Sequence, residues 1–277
     1  MAAIGLMNEL EILKTVDFGV YLDGGPHGEI LMPKRYVPET CQVGDTIEVF
    51  IYLDSEDRLV AVTDKPYAMV GDFAMLKVIS TTPIGAFVDW GLPKDLLVPF
   101  REQQFPMEEG RSYLCFVYLD DESQRIVGSS KLDKFIDNLP VDYEEGEEVD
   151  LIIAGKTDLG YKAIIDNSHW GLLFKNEVFQ PLKTGDRMKG YIKKIREDEK
   201  IDLVLQKPGY EKIDSIAQGV LDKLKAAGNF LPANDKTDPT EISKIFGISK
   251  KNFKKAIGAL YKQRMITIEE NGIRLAE

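Results

Sequence analysis

Within eight residues, Lys189, Tyr191, Lys193, Lys194 and Arg196 supply four cations and one aromatic ring. Single-stranded nucleic acid asks for that combination: base stacking on an aromatic face, worth about 1–3 kcal/mol per base, and cations along the phosphate track. Read as a strand, the segment has a period of two, which places Lys189, Tyr191 and Lys193 on one face and Lys194 and Arg196, beyond Ile192, on the other. A second cluster follows at Lys250, Lys251, Lys254, Lys255 and Lys262. At 100° per residue, Lys251, Lys255 and Lys262 fall opposite the apolar stripe Phe253, Ile257 and Leu260, with Lys250 and Lys254 on its flank. Asn252 is the main base-edge reader in that helix, so its lysines suit phosphate contact better than major-groove reading.

Other chemistries find little material. The two histidines, His27 in a glycine-rich turn and His169 in a polar loop, form no HExxH and stand near no CxxC, so no metal site is expected. Gly24-Gly25-Pro26-His27-Gly28 lacks the lysine and the helix of a phosphate-binding loop. Acidic runs at Asp54 to Asp57, Asp120 to Glu122 and Glu144 to Glu148 sit where repeats turn or join, which marks solvated loops rather than hydrolytic carboxylates. No catalytic residue, cofactor or small-molecule substrate is therefore expected. Cys41 and Cys115 lie in different repeats, as suits a reducing compartment. With no apolar run near the ~18 residues of a membrane span and no secretory leader, a cytoplasmic protein is expected.

The net charge of −11 at first opposes a nucleic-acid partner, but it is unevenly spread. Residues 1–70 carry five basic and twelve acidic side chains, and residues 71–145 carry seven and fourteen. Residues 146–209 are balanced at eleven each, and residues 210–277 carry twelve basic against nine acidic. The basic potential thus lies in the C-terminal half, and a Debye length of about 8 Å screens it from acidic modules a domain-width away.

These residues must be positioned by repeating elements. Gly19-Val20-Tyr21-Leu22, Gly85-Ala86-Phe87-Val88 and Gly160-Tyr161-Lys162-Ala163 are each followed, 25 positions after the glycine, by a second glycine at Gly44, Gly110 and Gly185. Beyond it come β-rich hairpins, Ile51–Asp54 to Arg58–Val60, Val117–Asp120 to Arg125–Val127, and Tyr191–Ile195 to Ile201–Val204. The units close on Lys65, Lys131 and Lys207. Each holds about five short strands, the pattern of a small closed barrel, with a short connecting turn or 3₁₀ segment expected between strands three and four. The expected modules are 1–67, 68–140 and 141–208.

Residues 209–277 change period. From Glu211, Ile213, Ile216, Ala217, Val220, Leu221, Leu224 and Ala227 predict an amphipathic helix stopped by Gly228. Asp238-Pro239-Thr240-Glu241 opens a second helix, stopped by Gly247, and Ser249 caps a third. A hairpin follows from Ile266 to Leu275, with a type I′ turn expected at Asn271-Gly272. Three helices and a terminal hairpin make a winged helix-turn-helix. The expected fold is mainly β with a C-terminal α+β domain: three S1/OB-type five-stranded barrels, then the winged helix.

The glycine-aromatic-hydrophobic strand, the Gly-Asp entry to strand four and the Asp-to-Arg hairpin resemble the S1 RNA-binding motif over about three quarters of the chain. Three such units followed by a winged helix are similar to the conserved virulence factor B (CvfB) family of Gram-positive bacteria, which are RNA-associated regulators. The S1 resemblance implies an RNA platform of an aromatic in the Gly-Ala-Phe-Val strand, another just before its glycine, a histidine two strands' reach away and a basic residue in the last hairpin. Repeat one matches with Phe18, Tyr21 and Arg58 and has Met32 at the histidine position. Repeat two matches with Phe87 and Arg125 and has Ile84 and Val98. Repeat three has Leu159, Lys162, Phe174 and Lys200.

Three readings follow. The first is a non-catalytic regulator binding single-stranded RNA mainly through the third barrel and the winged helix. The second is a protein adaptor whose acidic barrels hold a basic partner, ribosomal or RNA-processing. The third is a winged-helix DNA-binding transcription factor, which the acidic hairpin tip at Glu269 and Glu270 disfavours.

Overall fold

A computed structural model of the chain describes residues 2–178, 180–205 and 215–276. Strands β1 (Met7–Val16), β2 (Gly19–Asp23), β3 (Glu29–Pro33), β4 (Thr46–Leu53) and β5 (Leu59–Val62) close into a barrel in the order β1-β2-β3-β5-β4. The same order closes β6 (Phe73–Thr82), β7 (Gly85–Asp89), β8 (Leu96–Pro99), β9 (Ser112–Leu119) and β10 (Ile126–Ser129). It recurs in β11 (Glu148–Lys156), β12 (Gly160–Ile165), β13 (His169–Phe174), β14 (Arg187–Ile195) and β15 (Ile201–Val204). Alternation does the sorting: on β1, Leu10 and Ile12 point inward while Glu9 and Glu11 face water. Each such buried aliphatic contributes about 1.5–3 kcal/mol. In the first two barrels the connection expected between strands three and four takes the 3₁₀ form, at Lys34–Tyr36 and Phe100–Glu102.

The glycine spacing has a geometric cause. A Cβ on Gly19, Gly85 or Gly160 would stand 2.1, 2.4 or 1.9 Å from the carbonyl oxygen of Met32, Val98 or Leu173. No side chain fits against that neighbouring strand. The second set, Gly44, Gly110 and Gly185, has φ of 94°, 79° and 91°, a left-handed turn that favours glycine. Their amides donate to Ile12, Val78 and Ile153 at 2.8, 2.9 and 2.7 Å. Those three residues flank a β-bulge in the first strand of each barrel, where the register skips between Ile12 and Lys14, Val78 and Ser80, and Ile153 and Gly155. The 25-residue interval is therefore the path from the second strand, round the barrel, to a turn that clamps the bulge of the first.

Contacts divide the chain into two compact units. The first holds Met1–Asp142, Asp150–Met188 and Asp198–Lys200, and the second holds Tyr143–Val149, Lys189–Glu197 and Ile201–Glu277. Within the first, one hydrophobic core runs through both N-terminal barrels, from Ala2 to Val117. Trp90 of the second barrel is buried edge-on against Phe50 and Tyr52 of the first, at ring distances of 5.7 and 6.3 Å, and donates its indole N–H to the Lys94 carbonyl. Lys94 Nζ in turn donates to the carbonyls of Leu53 and Asp54 in the first barrel. A second cluster, Phe73, Leu114, Ile136, Ile152 and Ile164, joins β6 and β9 to β11 and β12.

In the second unit, α1 (Ser215–Ala226) buries Ala217, Val220, Leu221 and Leu224, and the chain turns left-handed at Gly228. Glu211, Ile213 and Lys207 lie outside the described residues. Helix α2 (Pro239–Phe246) is capped by the Asp238 carboxylate, which accepts the Thr240 N–H at 2.8 Å, and ends at left-handed Gly247. The Thr240 amide holds the Asp238 carboxyl below the usual carboxylate range. Ser249 caps α3 (Lys250–Lys262), whose Phe253, Ala256, Ile257 and Leu260 are buried.

The wing departs from expectation. Strands β17 (Ile266–Glu269) and β18 (Gly272–Leu275) pair Glu269 with Gly272, so the two-residue loop is Glu270–Asn271. Neither Asn271 nor Gly272 has positive φ, and the type I′ turn expected there is not formed. Gly272 serves a different need. A Cβ on it would lie 2.1 Å from the Leu231 carbonyl of a further strand, β16 (Phe230–Leu231), which pairs with β18. Two residues are too short to announce a strand by alternation. Buried Asn234 secures the wing by donating Nδ2 to the carbonyls of Glu269 and Glu270, at 3.1 and 2.9 Å. Replacing it with alanine orphans both, and a loss of about 1–3 kcal/mol is expected. Thermal melting with amide exchange at residues 268–272 reads it, and unchanged exchange there would contradict the role.

Candidate nucleic-acid interface

On β14, Gly190 and Ile192 point into the barrel, Lys189 is exposed and Tyr191 is half-buried. Strict alternation then fails, because the register with β15 skips between Ile192 and Lys194. This bulge leaves both Lys193 and Lys194 exposed, where the sequence reading put them on opposite faces. Arg196 lies past the strand end and is paired with Asp202 at 2.7 Å. The Tyr191 hydroxyl donates to Glu148 at 2.9 Å, and that bond raises its pKa.

The third-repeat platform residues sit elsewhere. Lys162 lies 3.6 Å above the Trp170 ring and 3.0 Å from Asp133. The repeat thus replaces the second-strand aromatic with a cation, and a ring on β13 lies beneath it. That ring belongs to Trp170, which no motif in the sequence singles out. Its diagonal position across the β12–β13 ladder from Lys162 was the available signal. Phe174 is half-buried opposite Gly160, and Lys200 pairs with Asp198 at 2.7 Å.

Helix α3 places its lysines as expected. Lys251, Lys255 and Lys262 are exposed; Lys254 lies 3.8 Å from Asp235, and Lys250 donates to the Lys236 carbonyl at 3.3 Å. The helix contains no acid, and four of its five lysines fall in the first two turns. In the first turn, at Lys250 and Lys251, the helix's own partial positive charge disfavours cations by about 0.3–1 kcal/mol each when exposed at low salt. The wing carries the opposite sign: Glu269 is paired with Arg274 at 2.7 Å, and Glu270 is exposed.

In the first barrel, Phe18 is 57% exposed and stands edge-on to Tyr21, over whose ring lies Lys14 at 4.7 Å. Arg58 is held by Asp54 and Glu56 at 2.7 and 2.8 Å. In the second barrel, Phe87 is half-buried beside exposed Ile84, and Arg125 pairs with Asp57 of the first barrel. Met32 and Val98, at the histidine positions, are wholly buried. The hairpin cation of every repeat, Arg58, Arg125 or Lys200, is thus already in an ion pair. Exposed pairs of this kind are worth about 0–1 kcal/mol, so a phosphate competes with them at small cost.

Fold and sites together define a class: S1-type barrels in tandem with a winged helix, a set of domains that bind nucleic acid and are not enzymatic in kind. Residues 4–64 match the S1 domain family, and residues 218–275 match the CvfB-like winged helix domain. The resemblance to the conserved virulence factor B family is borne out: the chain is homologous to conserved virulence factor B of Staphylococcus aureus (strain N315), 26% identical over 98% of this chain and 95% of that one. YitL of Bacillus subtilis (strain 168) is 27% identical over 95% of this chain and 90% of its own. A solved structure from Streptococcus pneumoniae TIGR4, described as a multidomain protein with nucleic acid binding domains, is 24% identical, covers 98% of both chains and has a TM-score of 0.43. Among the described residues, no helix is long and apolar enough to cross a membrane.

Proposed function

We propose that this protein is a cytoplasmic, non-catalytic regulator of gene expression that binds single-stranded RNA, with the virulence connection its relatives' name suggests. The main contacts are Lys189, Tyr191, Lys193 and Lys194 on β14 and the lysines of α3, in modules bounded at 1–67, 68–140, 141–208 and 209–277. Phe18 and Tyr21 of the first barrel add stacking faces. One observation carries the reading: α3 sets Lys250 and Lys251 in its first turn against its own dipole, follows them with Lys254 and Lys255, and has no acid of its own. Residues that break a local rule at a cost in stability mark functional surface, and these suit a polyanion. The acidic wing supports a single strand over duplex DNA, where a wing would meet phosphate.

Binding of an unstructured RNA should weaken with salt, log affinity falling against log salt by about 0.7 per phosphate neutralised. Replacing Lys193, Lys194, Lys251 and Lys255 with alanine should flatten that slope by about 0.7 per lysine. An unchanged slope would remove these residues from the interface, and preference for duplex DNA would favour the transcription-factor reading. The adaptor reading draws on the excess of seven acids in each of the first two segments. A stoichiometric basic protein co-purifying with the full chain, insensitive to ribonuclease, would favour it.

A further inference from the structure

The first two barrels share a cleft of about 470 Å³. Ser55 and Asp57 of the β4–β5 turn line one side, and Ile84, Phe87, Asp95 and Leu97 of the second barrel line the other. Its volume lies within the roughly 300–1,000 Å³ of small-ligand sites, which favour junctions between domains. The junction is firmly held, by Trp90 between Phe50 and Tyr52, by Lys94 on the carbonyls of Leu53 and Asp54, and by the Arg125–Asp57 pair.

The same bonds determine what could enter. Of the two cations lining the cleft, Lys94 is held on first-barrel carbonyls and Arg125 has its charge offset by Asp57, so an uncharged group can enter without displacing either. What remains is an apolar wall, with Phe87 half-buried and Ile84 61% exposed, and the half-buried Asp95 carboxylate. Burial, and the nearby Asp89, push the Asp95 carboxyl up, so N–H donors brought to it would be favoured. A flat ring with amino donors satisfies wall and carboxylate together, as a carboxylate accepts from the amino group of cytosine.

We propose that this cleft binds one nucleobase bearing an exocyclic amino group, cytosine, adenine or guanine in preference to uracil, stacked on Phe87 with its donors on Asp95. The inference rests on the RNA reading above and adds a base-selective pocket to a phosphate track.

The test uses the intact chain and neutral nucleosides, followed by saturation-transfer NMR. Cytidine should bind roughly tenfold tighter than uridine, a ratio that collapses in Asp95→Asn, and Phe87→Ala should weaken all amino-bearing nucleosides by about tenfold or more. Because nucleosides carry no phosphate, their binding should be flat in salt. The wild-type preference needs no variant to fold. Equal binding of uridine and cytidine, or tighter binding of N-acetyl-arginine amide than of any nucleoside, would overturn the proposal, the latter marking a protein side chain as occupant. If RNA binds with its salt slope while no nucleoside binds, the cleft assignment alone falls. If neither binds, the RNA reading falls with it.

Discussion

Trp90→Ala should cost the first two barrels about 3–5 kcal/mol, as expected for a buried large aromatic reduced to a methyl group. Trp90 is 2% exposed, and its ring belongs to one barrel while the rings it meets, Phe50 and Tyr52, belong to the other. The indole N–H is bonded as well, at 2.6 Å, so alanine also leaves the Lys94 carbonyl short of a donor. Lys94 then loses the anchor that directs its ammonium to the first barrel's turn. Trp90→Phe separates these effects, keeping most of the buried ring and losing the hydrogen bond at about 1 kcal/mol. Urea denaturation measures both through the midpoint. A loss below about 1 kcal/mol for the alanine variant would mean that the junction repacks and that the continuous core is not a joint.

The second large effect is expected at Gly160. In Gly160→Ala the new Cβ meets the Leu173 carbonyl at 1.9 Å, and backbone cannot swing aside as a side chain can. Strands β12 and β13 would have to part, with an expected loss of about 3 kcal/mol or more, at or above the usual range for overpacking. Gly155 is the control. It is also in the third barrel, it lacks positive φ, and a Cβ there meets nothing within 4 Å. Gly155→Ala should be neutral or stabilising by up to about 1 kcal/mol through loss of unfolded-chain entropy. Equal losses at the two positions would refute the close-approach explanation of the first glycine in each repeat.

Much of the architecture was legible because the constraints were glycine-borne and repeated. A close approach at Gly19, Gly85 and Gly160 and a left-handed clamp at Gly44, Gly110 and Gly185 leave a periodic mark that hydrophobicity alone does not. The caps Asp238 and Ser249 and the stripe on α3 were legible for the same reason: each is a local rule written in a few residues. Reading failed where the determinant was distant in sequence. Nothing near Lys193 signals the bulge that turns it outward beside Lys194, and nothing near Gly272 shows that β16 lies against it. The charged site residues were visible as types, but not their partners, since Lys162 meets Asp133 and Arg125 meets Asp57 across many residues. The cleft could not be read at all, because its two walls come from separate repeats.

Closed barrels have one further consequence for a chain that repeats itself. Tandem copies of similar modules are held at high mutual concentration, and partly folded neighbours of this kind are prone to trade elements and lock into misassembled forms. Here each sheet returns to its own first strand, in the order β1-β2-β3-β5-β4 for the first barrel and its equivalent in the others, so a finished module offers no vacant margin to its neighbour. The vulnerable interval is confined to the time before the last strand docks, and a module that has completed its circuit is inert toward the next one.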